Sequence, residues 1–246
     1  MHMATAITEY CETVLLHDIP WEVFEAIDET LGEFHLRFTY NKGLMELRKV
    51  IIGVTWQDYE RFLDAIGDFN LPHSYDHGEL RLMSPRRDHD GVKTLIARLI
   101  ETAAFELEIP IESLGSTTLA GKKAAVSIQP DEAYYVQNER KVRHTTDLDL
   151  KRDPPPDLAL EVIVTHRAPY KMSFYAQLGV AEVWRYDGKK LEFFKLSRKT
   201  KRYRVVATSG AFPLISSDLI IEHLKLRKKL DEHSVVRSFI ERITNQ

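Results

Sequence analysis

A single carboxylate interrupts the apolar segment LALEVIVT at residues 158–165. In a strand, one face would carry Leu158, Leu160, Val162 and Val164, and the other Ala159, Glu161 and Ile163. Both faces are apolar, which is typical of a central strand covered on two sides. A charged Glu161 is costly there unless it is paired, protonated or bound to a metal. The pattern makes Glu161 a candidate functional residue. The structural alternative is a glutamate paired with an arginine or placed at an exposed strand end.

A second acid, Asp131, follows Gln129-Pro130 and opens a strand predicted at about 131–137. A Pro-Asp step before one strand and a Glu inside the next apolar strand can put two carboxylates side by side across a sheet. Two such oxygens suit a hard divalent cation such as Mg²⁺ (or Mn²⁺), which keeps several waters. A bound metal would account for the buried acid, activate a water and neutralise charge on a phosphodiester. Asp131 and Glu161 are therefore the predicted metal ligands.

A site of this type also needs a cation near both acids, to position or deprotonate the water. The two residues after Glu161 are Val162 and Ile163, so the strand itself does not supply one. Lys171 lies ten positions beyond Glu161, in the first turn of a helix predicted over about 168–178. Pro169 favours the start of that helix and Gly179 its end. The Lys171 side chain can reach back over the strand end, although a helical lysine alone is usually a solvated surface residue.

The surrounding pattern predicts the elements that would hold these residues. The segment 89–108 is amphipathic and predicts a helix that ends before Pro110. Residues 138–153 are charged and loop-like. Asp187-Gly188 predicts a tight turn in a hairpin, another strand follows, and two short helices are expected within 216–243. The order of elements predicts an α/β (α+β) domain with a central mixed sheet flanked by helices.

The N-terminal third contains an internal repeat, because a shift of 35 residues places 19–47 on 54–82 without a gap. The identical pairs are Trp21/Trp56, Glu25/Glu60, Gly32/Gly67, Phe34/Phe69, Leu36/Leu71, Tyr40/Tyr75, Gly43/Gly78 and Leu47/Leu82. Each copy predicts a helix followed by a β-hairpin, and Thr55 is a candidate cap of the second helix. We expect a structural module that adds a layer, extends a sheet or makes dimer contacts. The predicted division is an extension over residues 1–49 and a main domain over residues 50–246 that includes the second copy.

The totals set broad limits on function. The chain has 246 residues, a formal net charge of −3 and one cysteine, Cys11, so an internal disulfide and a cysteine metal cluster are excluded. A net charge of −3 argues against a bulk electrostatic nucleic-acid binder, but it leaves room for a nuclease with a local basic cleft. No apolar run approaches the roughly 20 residues of a membrane span. The N-terminus does not follow the secretory pattern, and a cytoplasmic location is expected.

The motifs PDEAYY, PPPDLALEV and YAQLGVAEVWRYDG occur in an order that resembles the PD-(D/E)XK nuclease superfamily. More narrowly, the chain is similar to the Uma-type putative restriction endonucleases, from about Val50 to the C-terminus. YDHGELRLMSP and SLGSTT add to this resemblance. It implies a restriction-endonuclease-like core, a Mg²⁺-dependent endodeoxyribonuclease activity and DNA as the partner.

The resemblance also implies roles for particular residues. Asp131 matches the metal-binding Asp of the first motif, Glu161 the acid of the second, and Lys171 a catalytic lysine that has migrated to the helix. Glu79 matches an acid often found in GELRLMSP, and Glu46, which the 35-residue shift places on Arg81, is the other candidate early acid. The implied catalytic set is therefore Asp131, Glu161, Lys171 and Glu79. His89 matches a His after the Ser-Pro step, although a structural role at the start of a helix is the alternative.

Several departures from the family pattern leave alternatives open. Gln129 replaces a common Glu, Arg81 stands where relatives carry an acid, and residues 167–170 replace a more polar approach to Lys171. The competing hypotheses are a catalytically inactive nuclease fold used for binding or assembly, and a small-molecule metal hydrolase. Asp157 is interpreted as a cap or turn residue and not as a ligand. A homodimer is expected if both strands of a duplex are nicked, since that needs two sites.

Overall fold

The computed structural model describes residues 13–16, 19–31, 39–41, 44–48, 50–67, 69, 71–82, 87–121, 125–146, 148–163 and 171–245. The chain divides into two compact units, residues 1–84 and 85–246. Each unit is described by itself below.

The N-terminal unit contains the same arrangement twice, a strand, a helix and a β-hairpin. The first copy consists of β1 (Thr13–Leu16), α1 (Trp21–Leu31), β2 (Thr39–Asn41) and β3 (Leu44–Arg48). The second consists of β4 (Val50–Ile52), α2 (Trp56–Ile66), β5 (His73–Asp76) and β6 (Glu79–Leu82). The strands pair antiparallel, in the order β1-β3-β2 in one copy and β4-β6-β5 in the other. The predicted helix and hairpin are present in each copy, and a preceding strand that was not predicted pairs with each hairpin.

Equivalent positions of the two copies bury apolar side chains, which explains why the repeat gives the same fold twice. The matched buried pairs are Leu16/Ile51, Ile19/Val54, Ile27/Phe62, Leu31/Ile66 and Met45/Leu80. Helix α2 also has the predicted cap at Thr55. The Thr55 hydroxyl accepts a hydrogen bond from the Asp58 amide (3.1 Å), and the Asp58 carboxylate accepts one from the Thr55 amide (3.1 Å), which satisfies two amides at the helix start.

The second copy differs from the first by a buried polar pair, Tyr59 and His73. The Nδ1 atom of His73 lies 2.7 Å from the Leu71 carbonyl oxygen, which can only accept, so Nδ1 carries the proton. The Nε2 atom then accepts a hydrogen bond from the Tyr59 hydroxyl at 3.0 Å. Burial lowers the pKa of the His73 imidazole, which stays neutral. The first copy has Phe24 and Phe38 at the equivalent sequence positions.

The C-terminal unit is built around a six-stranded mixed sheet. Its strand order is β14 (Arg202–Val206), β13 (Leu191–Ser197), β12 (Glu182–Tyr186), β11 (Leu158–Val162), β10 (Glu132–Tyr135) and β7 (Glu112–Gly115). Strands β11 and β12 are parallel, and the other neighbours are antiparallel. The remaining elements are α3 (Arg87–Glu106), β8 (Leu119–Gly121), β9 (Val126–Ile128), α4 (Glu139–Val142), α5 (Lys171–Leu178), α6 (Ser217–Leu226) and α7 (Glu232–Thr244).

Both faces of strand β11 are covered, as the sequence predicts. Its odd-numbered face, with Ala159, packs with Val183 against α5 and the β8–β9 hairpin. Its even-numbered face, with Leu158, Leu160 and Val162, packs against α3 and lies in a core that includes residues of α6 and α7. All five residues of β11 are buried. Glu161 therefore lies on a strand with no solvated face.

The predicted α/β class with a central mixed sheet is confirmed, as are the 182–196 hairpin, the strand after it and the two C-terminal helices. Residues 138–153 were predicted to be loop-like, and they contain one short helical turn, α4. The Glu139 carboxylate receives two hydrogen bonds from the Arg143 guanidinium, one residue beyond α4 (2.5 and 2.8 Å).

Two predicted segments lie outside the described residues: the start of the helix at 168–170 and the end of the strand at 164–165. Among the described helices, none combines the length and apolar character needed to cross a membrane.

The His73 pair generates a prediction about acid stability. Because the folded imidazole has a lowered pKa, it contributes stability that is complete above about pH 6.5 and is lost as the pH falls from there, at up to about 1.4 kcal/mol per unit. The double variant Tyr59→Phe/His73→Phe installs the residues of the first copy and should lack this acid-dependent loss. Urea unfolding followed by circular dichroism between about pH 7.5 and pH 5 measures it. The same pH dependence in both proteins would contradict the assignment.

Candidate metal and active site

Asp131 lies immediately before β10, with its carboxylate against strand β11. Its amide donates a hydrogen bond to the Leu160 carbonyl (3.2 Å), and its Oδ2 accepts one from the Val162 amide (2.6 Å). These bonds continue the antiparallel pairing in which Glu132 lies opposite Leu160. The Asp131 carboxylate is therefore fixed at the peptide bond that follows Glu161. The sequence argument from a Pro-Asp step before one strand and a Glu within the next anticipates this adjacency.

Glu161 is 1% exposed, and both of its carboxylate oxygens receive hydrogen bonds from helix α5. The Lys171 ammonium donates to Oε2 at 2.6 Å, and the Tyr175 hydroxyl donates to Oε1. The arginine alternative does not apply, because Arg185, opposite Glu161 on β12, pairs with Glu192 at 2.8 Å. A buried carboxylate is compensated here by one cation and one hydroxyl from a single helix.

Helix α5 is placed to deliver both donors. Lys171 is its first residue, and Tyr175 follows one turn later on the same side. Phe174 and Tyr175 bury their rings with Ala159 and Val183, which fixes the helix against the sheet. Gly179, at φ +86°, ends the helix in a conformation that favours glycine. This packing keeps Lys171 only 8% exposed, so it is not an ordinary surface lysine.

The electrostatics of the site are dominated by burial. Burial raises the pKa of the Glu161 carboxyl, the Lys171 ammonium opposes that rise, and the negative Asp131 adds to it. Burial and the neighbouring carboxylate also hold the pKa of the Tyr175 hydroxyl well above its usual range, so Tyr175 remains a donor. The Glu161 carboxylate therefore experiences both the positive charge of Lys171 and the negative charge of Asp131.

This donor set fits a hard divalent cation. Carboxylate oxygens are preferred ligands of Mg²⁺, and one or two of them suffice when waters or substrate phosphates complete the shell. Asp131 and Glu161 would hold the ion. Within the described part of the chain, no group of three or more His, Cys, Asp or Glu side chains is gathered that could hold a metal. Most of the coordination shell would therefore come from water or substrate.

The other predicted residues have different surroundings. Glu79 begins β6 in the N-terminal unit, where its carboxylate pairs with Arg81. The side chains of Glu46 and His89 lie outside what the structure describes. Asp157 has a structural set of contacts, because its carboxylate accepts hydrogen bonds from the amides of Val136 (2.9 Å) and Asn138 (2.8 Å) and from the Asn138 side chain (2.7 Å). These contacts tie the end of β10 to the start of β11 and agree with the interpretation of Asp157 as a turn residue.

Two contacts near the site were not predicted. Tyr175 was part of the YAQLGV motif but was given no role. Its spacing of four residues from Lys171 was the available signal, since such residues share one side of a helix. On the opposite face of the sheet, Glu132 lies 3.6 Å from the ammonium of Lys93.

Comparison with known proteins identifies the family. A family model described as Uma2, putative restriction endonuclease, matches residues 56–227. That span is well over half of the chain, so the chain belongs to the Uma2 family. The resemblance noted from the sequence motifs is confirmed.

Among curated proteins, no relative matched. Among solved structures, the chain is similar to a putative nuclease belonging to DUF820 from Anabaena variabilis ATCC 29413, with 11% identity, a TM-score of 0.45 and coverage of 61% of this chain and 89% of that one.

The buried pair generates a stability prediction. Lys171→Met leaves the Glu161 carboxylate buried without its cation and should lower the free energy of unfolding by about 3–5 kcal/mol near neutral pH. The loss should shrink as the pH falls, because a carboxyl with a raised pKa takes up a proton in the folded state first. Tyr175→Phe should cost less, about 1–3 kcal/mol. Urea unfolding followed by circular dichroism measures each value.

The matched controls separate pairing from general damage. Lys189→Met removes an exposed lysine from the β12–β13 turn and should change stability by less than about 0.5 kcal/mol. Glu161→Gln combined with Lys171→Met removes the unpaired charge and should recover a substantial part of the loss. A double variant as unstable as the sum of the two single variants would show that the pair is not coupled.

Proposed function

We propose that this protein is a metal-dependent endonuclease that hydrolyses phosphodiester bonds, with DNA as its substrate. The observation that carries the proposal is the arrangement of Glu161, buried between Lys171 and Tyr175 and beside Asp131, in a member of a family described as restriction endonucleases. A buried acid of this kind is costly, and a metal site explains why it is there. The mixed sheet with helices on both faces supports a restriction-endonuclease-like core.

Each residue has a distinct part in the proposed chemistry. Asp131 and Glu161 hold Mg²⁺ or Mn²⁺, which when bound polarises the phosphodiester and lowers the pKa of a water. Tyr175 keeps the Glu161 carboxylate in one orientation through Oε1. Lys171 supplies a positive charge next to the metal ligand, where it can orient the attacking water by hydrogen bonding. Glu79 is proposed as an accessory acid of the site, with Glu46 as the alternative.

The family match also bears on the organisation of the chain. It begins at residue 56, so it includes most of the second repeat copy and leaves out the first. This supports an N-terminal extension over residues 1–49 and a nuclease-like domain over residues 50–246. A homodimer would provide the two sites needed to cut both strands.

One observation favours a second candidate, a nuclease fold without catalysis that serves in binding or assembly. Both oxygens of Glu161 already receive hydrogen bonds from protein groups, so the site is satisfied without a metal. In this alternative, the Lys171–Glu161 pair is purely structural.

Cleavage of supercoiled plasmid with Mg²⁺ or Mn²⁺ tests the proposal. Asp131→Asn, Glu161→Ala and Lys171→Met should each lower the rate by about 10²-fold or more. Glu222→Gln removes an exposed carboxylate of the same unit and should leave the rate unchanged. The cleavage rate of Glu79→Gln shows whether Glu79 takes part in catalysis. Activity that survives in Glu161→Ala would overturn the site.

Metal binding separates the two candidates independently of activity. Mn²⁺ should raise the melting temperature of the wild-type protein in proportion to the logarithm of its concentration, and should do so far less for Glu161→Gln. Equal shifts in both proteins would place the metal elsewhere. A wild-type protein that binds no metal would favour the non-catalytic candidate.

A further inference from the structure

A hairpin in the C-terminal unit concentrates positive charge that the proposed active site does not use. Strands β13 and β14 are joined by the turn 198–201, and residues 193–206 contain no acid. We call the exposed cations of this turn and strand the basic hairpin: Arg198, Lys199, Lys201, Arg202 and Arg204. None of the five forms an ion pair with another described residue. Without them, the formal net charge of −3 would be −8.

The pairing of the two strands shows that this charge works against local stability. Arg204 lies directly opposite Lys195, and like charges in that position destabilise an antiparallel pair. On its other side Lys195 faces Glu182 of β12, whereas Arg204 is on the edge strand of the sheet. Glu182 is therefore available to offset the charge of Lys195, whereas violations of a local rule such as the Lys195–Arg204 pair are expected mainly at functional or strained sites.

The need to prevent the edge strand β14 from pairing with another chain explains only part of the positive charge of the hairpin. Charged residues on an edge strand prevent pairing with another chain, and Arg202 and Arg204 on β14 would serve that purpose. Arg198, Lys199 and Lys201 lie in the turn, beyond the paired residues, where no edge needs protection. Their charge calls for another explanation.

The base of the hairpin is anchored to the rest of the C-terminal unit by two contacts. The Tyr203 hydroxyl donates a hydrogen bond to the Val180 carbonyl (2.6 Å), which ties β14 to the end of α5. The ring of Phe193 stacks on Trp184 with centroids 4.2 Å apart, which ties β13 to the core. A rigid surface loses less conformational freedom when it binds.

We propose that the basic hairpin is a docking surface for the phosphate backbone of duplex DNA, separate from the Glu161 site. Clustered Lys and Arg side chains bind phosphates without reading sequence. In the register of the sheet, Glu192 on β13 lies level with Glu161 on β11. The hairpin turn begins more than five residues further along β13. At ~3.4 Å per residue, the turn is therefore about 17 Å or more from the level of Glu161. The choice of DNA rests on the proposed function, and the hairpin adds a second contact with the same substrate.

Binding measured without metal tests this proposal apart from catalysis. With EDTA present, fluorescence anisotropy of a short labelled duplex of mixed sequence reports affinity across roughly 50 to 200 mM salt. The hairpin variant Arg198→Gln/Lys199→Gln/Arg202→Gln should bind at least about tenfold more weakly near 0.1 M salt, and the slope of log K against log salt should fall by about 2–3. In the metal-loaded protein the same variant should raise KM and leave kcat unchanged.

The matched control removes three exposed lysines elsewhere in the same unit. Lys225→Gln/Lys228→Gln/Lys229→Gln makes the same change in net charge near the α6–α7 turn and should alter affinity by less than about threefold. Equal losses in the two variants would overturn the proposal, because net charge would then explain the binding. So would a hairpin variant that binds like the wild type, or a wild-type protein that binds phosphatidylglycerol vesicles and not the duplex. Loss of duplex binding in the hairpin variant of a protein that never cleaves DNA would support the docking surface and refute the nuclease.

Discussion

The burial of the Glu161 carboxylate is the constraint on which the arrangement of the C-terminal unit depends. An ionised acid on a strand with no solvated face must be compensated from within the protein. Lys171 and Tyr175 supply that compensation from one helix, so α5 has to lie on the odd-numbered face of β11 with its first turn over Glu161. The rings of Phe174 and Tyr175 and the stop at Gly179 hold it there. The position of helix α5 on the sheet and the Lys171–Glu161 ion pair therefore depend on each other.

That arrangement is expensive for stability alone. A well-packed apolar residue at position 161, with an apolar partner at 171, would on general grounds be as stable or more stable. The cost of the buried pair is consistent with the proposed metal site, in which the adjacent Asp131 is the second carboxylate. Tyr175 limits the orientations that Glu161 can adopt. Such orientation matters for the proposed metal site, because the described residues gather no group of three or more side chains that could hold a metal.

Several parts of this structure could be predicted from the sequence, and the reason differs in each case. The two faces of β11 follow from alternation, and the repeated helices follow from the 35-residue shift, because these patterns are local. The adjacency of Asp131 and Glu161 required only that successive strands pair.

Other features were missed. Tyr175 was given no role because a tyrosine on a buried helix face usually belongs to the core, and only the position of Lys171 points to a partner for its hydroxyl. The strand before each repeated helix was missed because it pairs with the hairpin that comes after the helix, a contact that local periodicity does not reveal. The like-charge pair Lys195–Arg204 could not be seen before the register of β13 and β14 was known.

The repeat illustrates how identical architecture is kept while chemistry diverges. The two copies bury apolar residues at matched positions, yet Tyr59 and His73 form a polar pair in one copy where the other has phenylalanine at both positions.

The net charge of the chain does not reveal how charge is distributed within the C-terminal unit. A value of −3 argues against binding to polyanions only if charge is spread evenly, whereas the fourteen residues 193–206 contain six cations and no acid. Phosphate contacts are made over short distances, because salt screens charges beyond about 10 Å. The local concentration of charge, and not the sum over the chain, therefore decides whether a surface can hold nucleic acid.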